Sequence, residues 1–190
     1  MKKVLFPILA LVLALGLALP MAAPSPVAAH TEDEPFTKDL MAGQNIYVGD
    51  VEVWNDGTNL YVKYVVHDPW VMTETHLAVA TSLEDIPQKK GNPPPGQFPY
   101  QCCYDETAEQ WVFQIKEGGA VDATCDADGK SDAALTEVTY TIPLNGWEAG
   151  DDLFIAAHAV VWDTTSETSV TVVSEPGVEA YGPLFSYAGL

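Results

Sequence analysis

The sequence predicts an all-β protein: a single β-sandwich of about eight or nine mostly antiparallel strands, preceded by a signal peptide. Three observations predict it. Short runs alternate apolar and polar residues with a period of two, as half-buried strands do. Turn signals such as Asn55-Asp56-Gly57 and Asn145-Gly146 separate those runs. After the first apolar stretch, no segment keeps a helical period over three turns.

The first stretch stands apart from the fold. Lys2 and Lys3 precede an apolar run from Val4 to Ala23, followed by "PSPVAAH". A short basic start, an apolar core and a small-residue exit are the pattern of a secretory signal. Val27 and Ala29 place the cut before His30, with a cut after Ala23 as the close competitor. An uncleaved anchor is the rival, since about 20 residues span a bilayer. Prolines near both ends favour cleavage, and no cysteine lies near the cut to carry a lipid. No second hydrophobic stretch follows, so no stable membrane span is expected after cleavage. The expected organisation is a signal peptide at 1–29, an acidic leading segment at 30–45 and the sandwich at 46–190.

The strands follow in order. "DVEVWNDGTNLYVKYVV" reads as a hairpin: Val51 and Val53 alternate with Glu52 and Trp54, and Leu60, Val62 and Tyr64 alternate after the turn. "HDPW" (67–70) punctuates, and "VMTETHLAVATS" gives the next strand. Residues 84–101 carry four prolines from Pro87 to Pro95 and read as a long loop, a common home for binding groups. "EQWVFQIK" (109–116) is a strand, and "VDATCDADGKSDAAL" (121–135) an acidic loop. "TEVTYTIPL" (136–144) alternates cleanly. "DLFIAAHAVVWD" (152–163) is a buried strand, with "TSVTVVSE" (168–175) as its expected hairpin partner. "GPLFSYA" (182–188) is the last strand.

Composition bounds the partners. Two of the eight basic residues leave with the signal, so 6 lysines face 27 carboxylates, a formal charge of −21, and the chain has no arginine. Such a surface repels nucleic acid and anionic membrane. It suits divalent cations, a salty medium or plain solubility. The three cysteines are expected to be oxidised in an exported chain. Cys125 is expected to pair with Cys102 or Cys103, closing a loop worth roughly 3 kcal/mol in chain entropy. The third thiol is expected to be buried, with pairing between molecules and metal binding as the alternatives.

The stretches "VGDVEVWNDGTNLYVKY", "TETHLAVATSLEDIPQ", "GNPPPGQFPY", "YTIPLNGWEAGDDLFIAAHAVV" and "YGPLFSY" together resemble an uncharacterised β-rich module that recurs in secreted and cell-surface proteins of bacteria and archaea. The resemblance spans residues 36–188. It implies an extracytoplasmic location and no reaction.

Two constellations are candidate metal sites. In "TETHLAVATS", Glu74 and His76 are two apart and share one face of a strand. His158 sits in a matching run of alanines, and neighbouring strands would set the histidines side by side. Two imidazoles and a carboxylate are a zinc-type set, to which His67 and Asp68 are possible additions. The plainer expectation is two histidines satisfied in a packed interior. Asp126, Asp128 and Asp132 around Gly129 form a calcium-type set, without the terminal glutamate of a twelve-residue calcium loop. The plainer expectation there is an acidic hairpin. Trp70 and Trp147 follow loop residues and are candidates for an exposed platform that suits a sugar ring.

No G-x-S-x-G elbow, H-E-x-x-H, phosphate loop or dinucleotide fingerprint is present. The leading expectation is a secreted or cell-surface β-sandwich that binds a ligand, a calcium or zinc ion, or a surface polysaccharide or protein, without catalysis. The alternatives are a metal-dependent hydrolase using Glu74, His76 and His158, and a structural component of a surface layer or matrix.

Overall fold

The computed structural model describes residues 30–43, 45–89, 94–165, 178–181 and 185–187. The signal peptide and the strand expected at 168–175 lie outside these residues. The fold is all-β and antiparallel. Its strands are β1 (Phe36–Ala42), β2 (Ile46–Asn55), β3 (Asn59–Val66), β4 (Trp70–Ala80), β5 (Tyr100–Asp105), β6 (Gln110–Ile115), β7 (Thr124–Cys125), β8 (Glu137–Pro143), β9 (Leu153–Asp163), β10 (Val178–Tyr181) and β11 (Phe185–Tyr187). The helical content is two single 3₁₀ turns, Leu83–Asp85 and Pro95–Gln97.

Eleven strands are described where eight or nine are expected. The additions are β1, β5, the two-residue β7 and β10. β1 falls within the acidic leading segment yet pairs with β2 from Phe36↔Val53 to Ala42↔Ile46. Short or charged strands carry too little alternation to be read from sequence.

The hydrogen-bonded order is β6-β5-β4-β9-β10-β1-β2-β3-β8-β7, with β11 also on β9. The path divides into five strands, β6-β5-β4-β9-β10, and four, β1-β2-β3-β8, with β7 on the margin of the second group. Only Met41↔Tyr181 and Ala42↔Ala180 join the two groups at the β10–β1 seam. One core cluster draws on both, so their inner faces meet in a sandwich-like arrangement.

Alternation does what the sequence predicts in the well-marked strands. Leu60, Val62, Tyr64 and Val66 of β3 are buried, as are Val138, Tyr140 and Ile142 of β8. The turn between β2 and β3 is held by Asp56, whose Oδ1 accepts from the Thr58 and Asn59 N–H groups, and Gly57 adopts φ +81° there. On the other face of the hairpin, Trp54 stacks on Tyr61 at 5.2 Å.

Polar groups stitch the layers. Tyr64 Oη donates to the His76 carbonyl (2.7 Å), and Tyr140 Oη reaches Thr75 Oγ1 at 2.7 Å and donates to the Thr75 carbonyl at 3.0 Å. The Cys102–Cys125 disulfide joins β5 to β7 across the layers. Of the two pairings left open, the Cys102 one is realised, because Cys102 points inward from β5 and is fully buried. Cys103 points the other way and is half-buried. At this margin β6 also meets the turn after β7: Trp111 N–H donates to the Lys130 carbonyl, and Gly129 N–H to the Trp111 carbonyl.

Reducing the bridge, or replacing both Cys102 and Cys125 by alanine, is expected to lower the unfolding free energy by about 3 kcal/mol, read from urea titration. Gly49 lies where β2 crosses β3 so closely that an added Cβ would strike the Val65 carbonyl. Gly49→Ala is therefore expected to cost about 3 kcal/mol or more, visible as a large loss in melting temperature or of soluble protein.

Candidate functional site

The outer face of β4 and β9 carries the polar cluster. A one-residue bulge at Thr73 shifts the register between Met72 and Glu74. Beyond it, Thr75 and Leu77 face the core, while Glu74, His76 and Ala78 face outward. His76 stands directly opposite His158, and on its other side opposite Gln101 of β5. Glu74 stands opposite Cys103. One row across three strands thus reads His158, His76, Gln101, with Glu74 and Cys103 beside it.

The outer face is not open where the histidines sit. Ile86 and Phe98, from the two ends of the proline-rich loop, pack on Ala78 and Ala156 as a small second core. Small alanines leave room for this cover. His76 is 5% exposed and His158 2%.

Hydrogen bonds order the cluster. Glu74 Oε1 lies 2.9 Å from His76 Nε2, and Gln101 Nε2 donates to the same oxygen at 2.8 Å. His76 Nδ1 lies 3.1 Å from His158 Nδ1, with the rings 5.2 Å apart. An ionised carboxylate only accepts, so His76 presents its Nε2–H to Glu74. His76 Nδ1 and His158 Nδ1 share the second hydrogen bond, its direction set by the tautomer. The result is a linear chain, His158 to His76 to Glu74.

The expected convergence of Glu74, His76 and His158 is therefore real, but it is a chain and not a cluster about one point. Glu74 and His158 occupy opposite nitrogens of His76. Among the described residues, no group of three or more His, Cys, Asp or Glu side chains is placed to hold a metal ion. His67 and Asp68 lie elsewhere: His67 Nε2 pairs with Asp50 at 3.4 Å and its ring meets Tyr47.

The hydrogen bond from His76 holds the Glu74 carboxyl below its usual range, against the opposing effect of burial. Cys103 moves the other way: burial first, then the charges of Glu74 and Asp105, push its thiol up. That favours the protonated thiol, the less nucleophilic form.

The calcium-type aspartates are each used separately. Asp126 Oδ1 accepts from the Thr139 N–H (2.7 Å), and its other oxygen faces Lys130 at 3.6 Å. Asp128 Oδ1 accepts from the Phe113 N–H (2.9 Å). Asp132 contributes its backbone carbonyl to the Trp111 indole N–H. These groups tie the 126–132 turn to β6 and β8. Trp70 and Trp147 are both half-buried and pack against the main core.

Gln101 and Cys103 are not among the expected site residues, Cys103 being considered as an alternative partner for Cys125; the signal for both is the alternation in "YQCCYD". No known family, curated protein or solved structure matches the chain.

His76→Ala removes the buried hydrogen bond to His158 and is expected to destabilise by about 1–3 kcal/mol, measured by urea denaturation. The folded-state value of Glu74 lies below its unfolded value. Its contribution to stability is thus present above the unfolded carboxylate range and lost as pH falls through the lowered folded value. Glu74→Gln is expected to flatten the acid limb of the stability–pH curve below about pH 4.3. The change should be modest, since the side chain is one-third exposed.

Proposed function

We infer that the chain is an exported module that acts outside the cytoplasm by binding a ligand or a surface component, without catalysis. The observation that carries this reading is the burial of the two opposed imidazoles, His76 and His158. His76 is 5% exposed and His158 2%, and both nitrogens of His76 are engaged within the protein. A general base must reach the proton it abstracts, directly or through one water. A buried pair of this kind instead orients two strands and engages both nitrogens of His76.

Export is supported by the N-terminal signal pattern and by the Cys102–Cys125 bridge, which suits an oxidising compartment. The resemblance to a module of secreted and cell-surface proteins points the same way. Among the described residues no helix is long and apolar enough to cross a membrane. The strongly acidic surface favours neutral or cationic partners over nucleic acid.

Fractionation and N-terminal sequencing of the protein from its host are expected to find it outside the cytoplasm, beginning at His30, with Cys102 and Cys125 oxidised. Its melting temperature is expected to stay the same after exhaustive chelation. Retention in the cytoplasm with reduced cysteines would overturn the location. Stoichiometric zinc whose removal lowers the melting temperature would overturn the non-metal reading of the histidines.

A further inference from the structure

We propose that a groove at one end of the fold is a binding subsite for a neutral saccharide. It lies between the β2–β3 turn and the loop joining β8 to β9, has a volume of about 300 Å³, and is lined by Trp147, Asn145, Glu148, Asn55 and Thr58. This volume is at the small end of the range for ligand pockets and suits one or two sugar rings better than a folded partner. The proposal rests on the reading of the chain as a binding module and names its ligand class.

The walls are prebuilt. Leu144 N–H donates to the Thr58 carbonyl (2.9 Å), which locks the two loops together. Trp147 N–H donates to the Leu144 carbonyl (3.1 Å), fixing the tight turn through Gly146 at φ +96°. Glu148 N–H donates to Asp151 Oδ2 (2.8 Å). Asn55 is held as well: its Nδ2 donates to Tyr187 Oη (3.0 Å), and its Oδ1 accepts from the Gly57 N–H (3.1 Å). A groove whose backbone is already ordered loses little entropy on binding.

The chemistry selects the ligand class. Trp147 is anchored on the core yet lines the groove, so part of its indole surface is offered to a ligand. An indole with one wet side favours a ligand that is apolar on a face and polar on its edge. A pyranose presents that pairing, with C–H groups on its faces and hydroxyls round its rim. Asn145 and Glu148 are exposed, and with Thr58 they line the groove with residues that carry amide, carboxylate and hydroxyl groups, the types that pair with sugar hydroxyls. Glu148, on a chain of formal charge −19, disfavours uronic and sulfated sugars.

The test is calorimetric titration of the exported protein with cellohexaose, xylohexaose, mannohexaose and N-acetylchitohexaose, with hexagalacturonate as the anionic control. At least one neutral hexaose is expected to bind with a dissociation constant in the micromolar to low millimolar range. Trp147→Ala is expected to weaken it at least about tenfold. Because that residue also packs on the core, Asn145→Ala serves as the second variant: it is exposed, should leave the melting temperature unchanged, and is expected to weaken binding about threefold or more. The proposal is overturned by no binding of any neutral hexaose up to about 10 mM, by binding that survives both substitutions, or by binding of hexagalacturonate alone. Any of these outcomes in a protein found exported and oxidised removes the saccharide subsite and leaves the broader reading standing. A reduced, cytoplasmic protein removes that broader reading instead.

Discussion

The antiparallel pairing of β4 with β9 is the constraint on which the rest depends. These are two strands of eleven residues each, registered from Trp70↔Asp163 to Ala80↔Phe154 with a single bulge. Within the five-strand group β5 pairs with β4, β10 pairs with β9, and β6 joins through β5. Their inner face supplies Met72, Thr75, Leu77, Ile155, Ala157, Ala159 and Val161, all buried. Thr75 is the polar exception, and the opposite layer answers it with the Tyr140 hydroxyl. Burial pushes both Tyr64 and Tyr140 up, so each phenol stays protonated and able to donate. A buried donor that lacked its acceptor would cost about 1–3 kcal/mol, so these bonds help hold the layers in one relative position.

The same pairing has a consequence on the outer face. Strand geometry sends alternate residues outward, and in both strands one of these is a histidine. With His76 and His158 directly opposed, each imidazole becomes the other's partner, and Glu74 two residues away holds the far nitrogen of His76. The flanking alanines matter as much as the histidines. Larger side chains at 78 and 156 would hold Ile86 and Phe98 off the sheet and leave the rings wet.

The margins of the sheet are closed by local chemistry. β6 and β7 would otherwise be free edges, which invite pairing with other chains. Instead the turn after β7 lays its backbone against Trp111, Asp128 caps the Phe113 N–H, and the disulfide crosses beneath. The acidic loop thus serves as a clasp. Its aspartates are spaced as they are because they reach two different strands, and that spacing alone resembles a calcium loop.

The sequence by itself determined the all-β class, the β2–β3 hairpin, the strands β4, β6, β8 and β9 and the meeting of Glu74 with His76. The physical reason is that turn chemistry and a period of two are local properties. Proximity of His76 to His158 was a reasoned step from matching alanine runs, and strand pairing then made it exact. Other features depended on partners far along the chain. β1, β5 and β7 are strands only because a neighbour offers a ladder to join. Cys102 outranked Cys103 because one points into the core and the other away from it. The groove beside Trp147 exists because two loops, about ninety residues apart in sequence, share one hydrogen bond between Leu144 and Thr58. Tertiary structure also decided that Glu74, His76 and His158 form a linear chain: which nitrogen faces which neighbour follows from register and ring orientation, and neither is written in residue spacing.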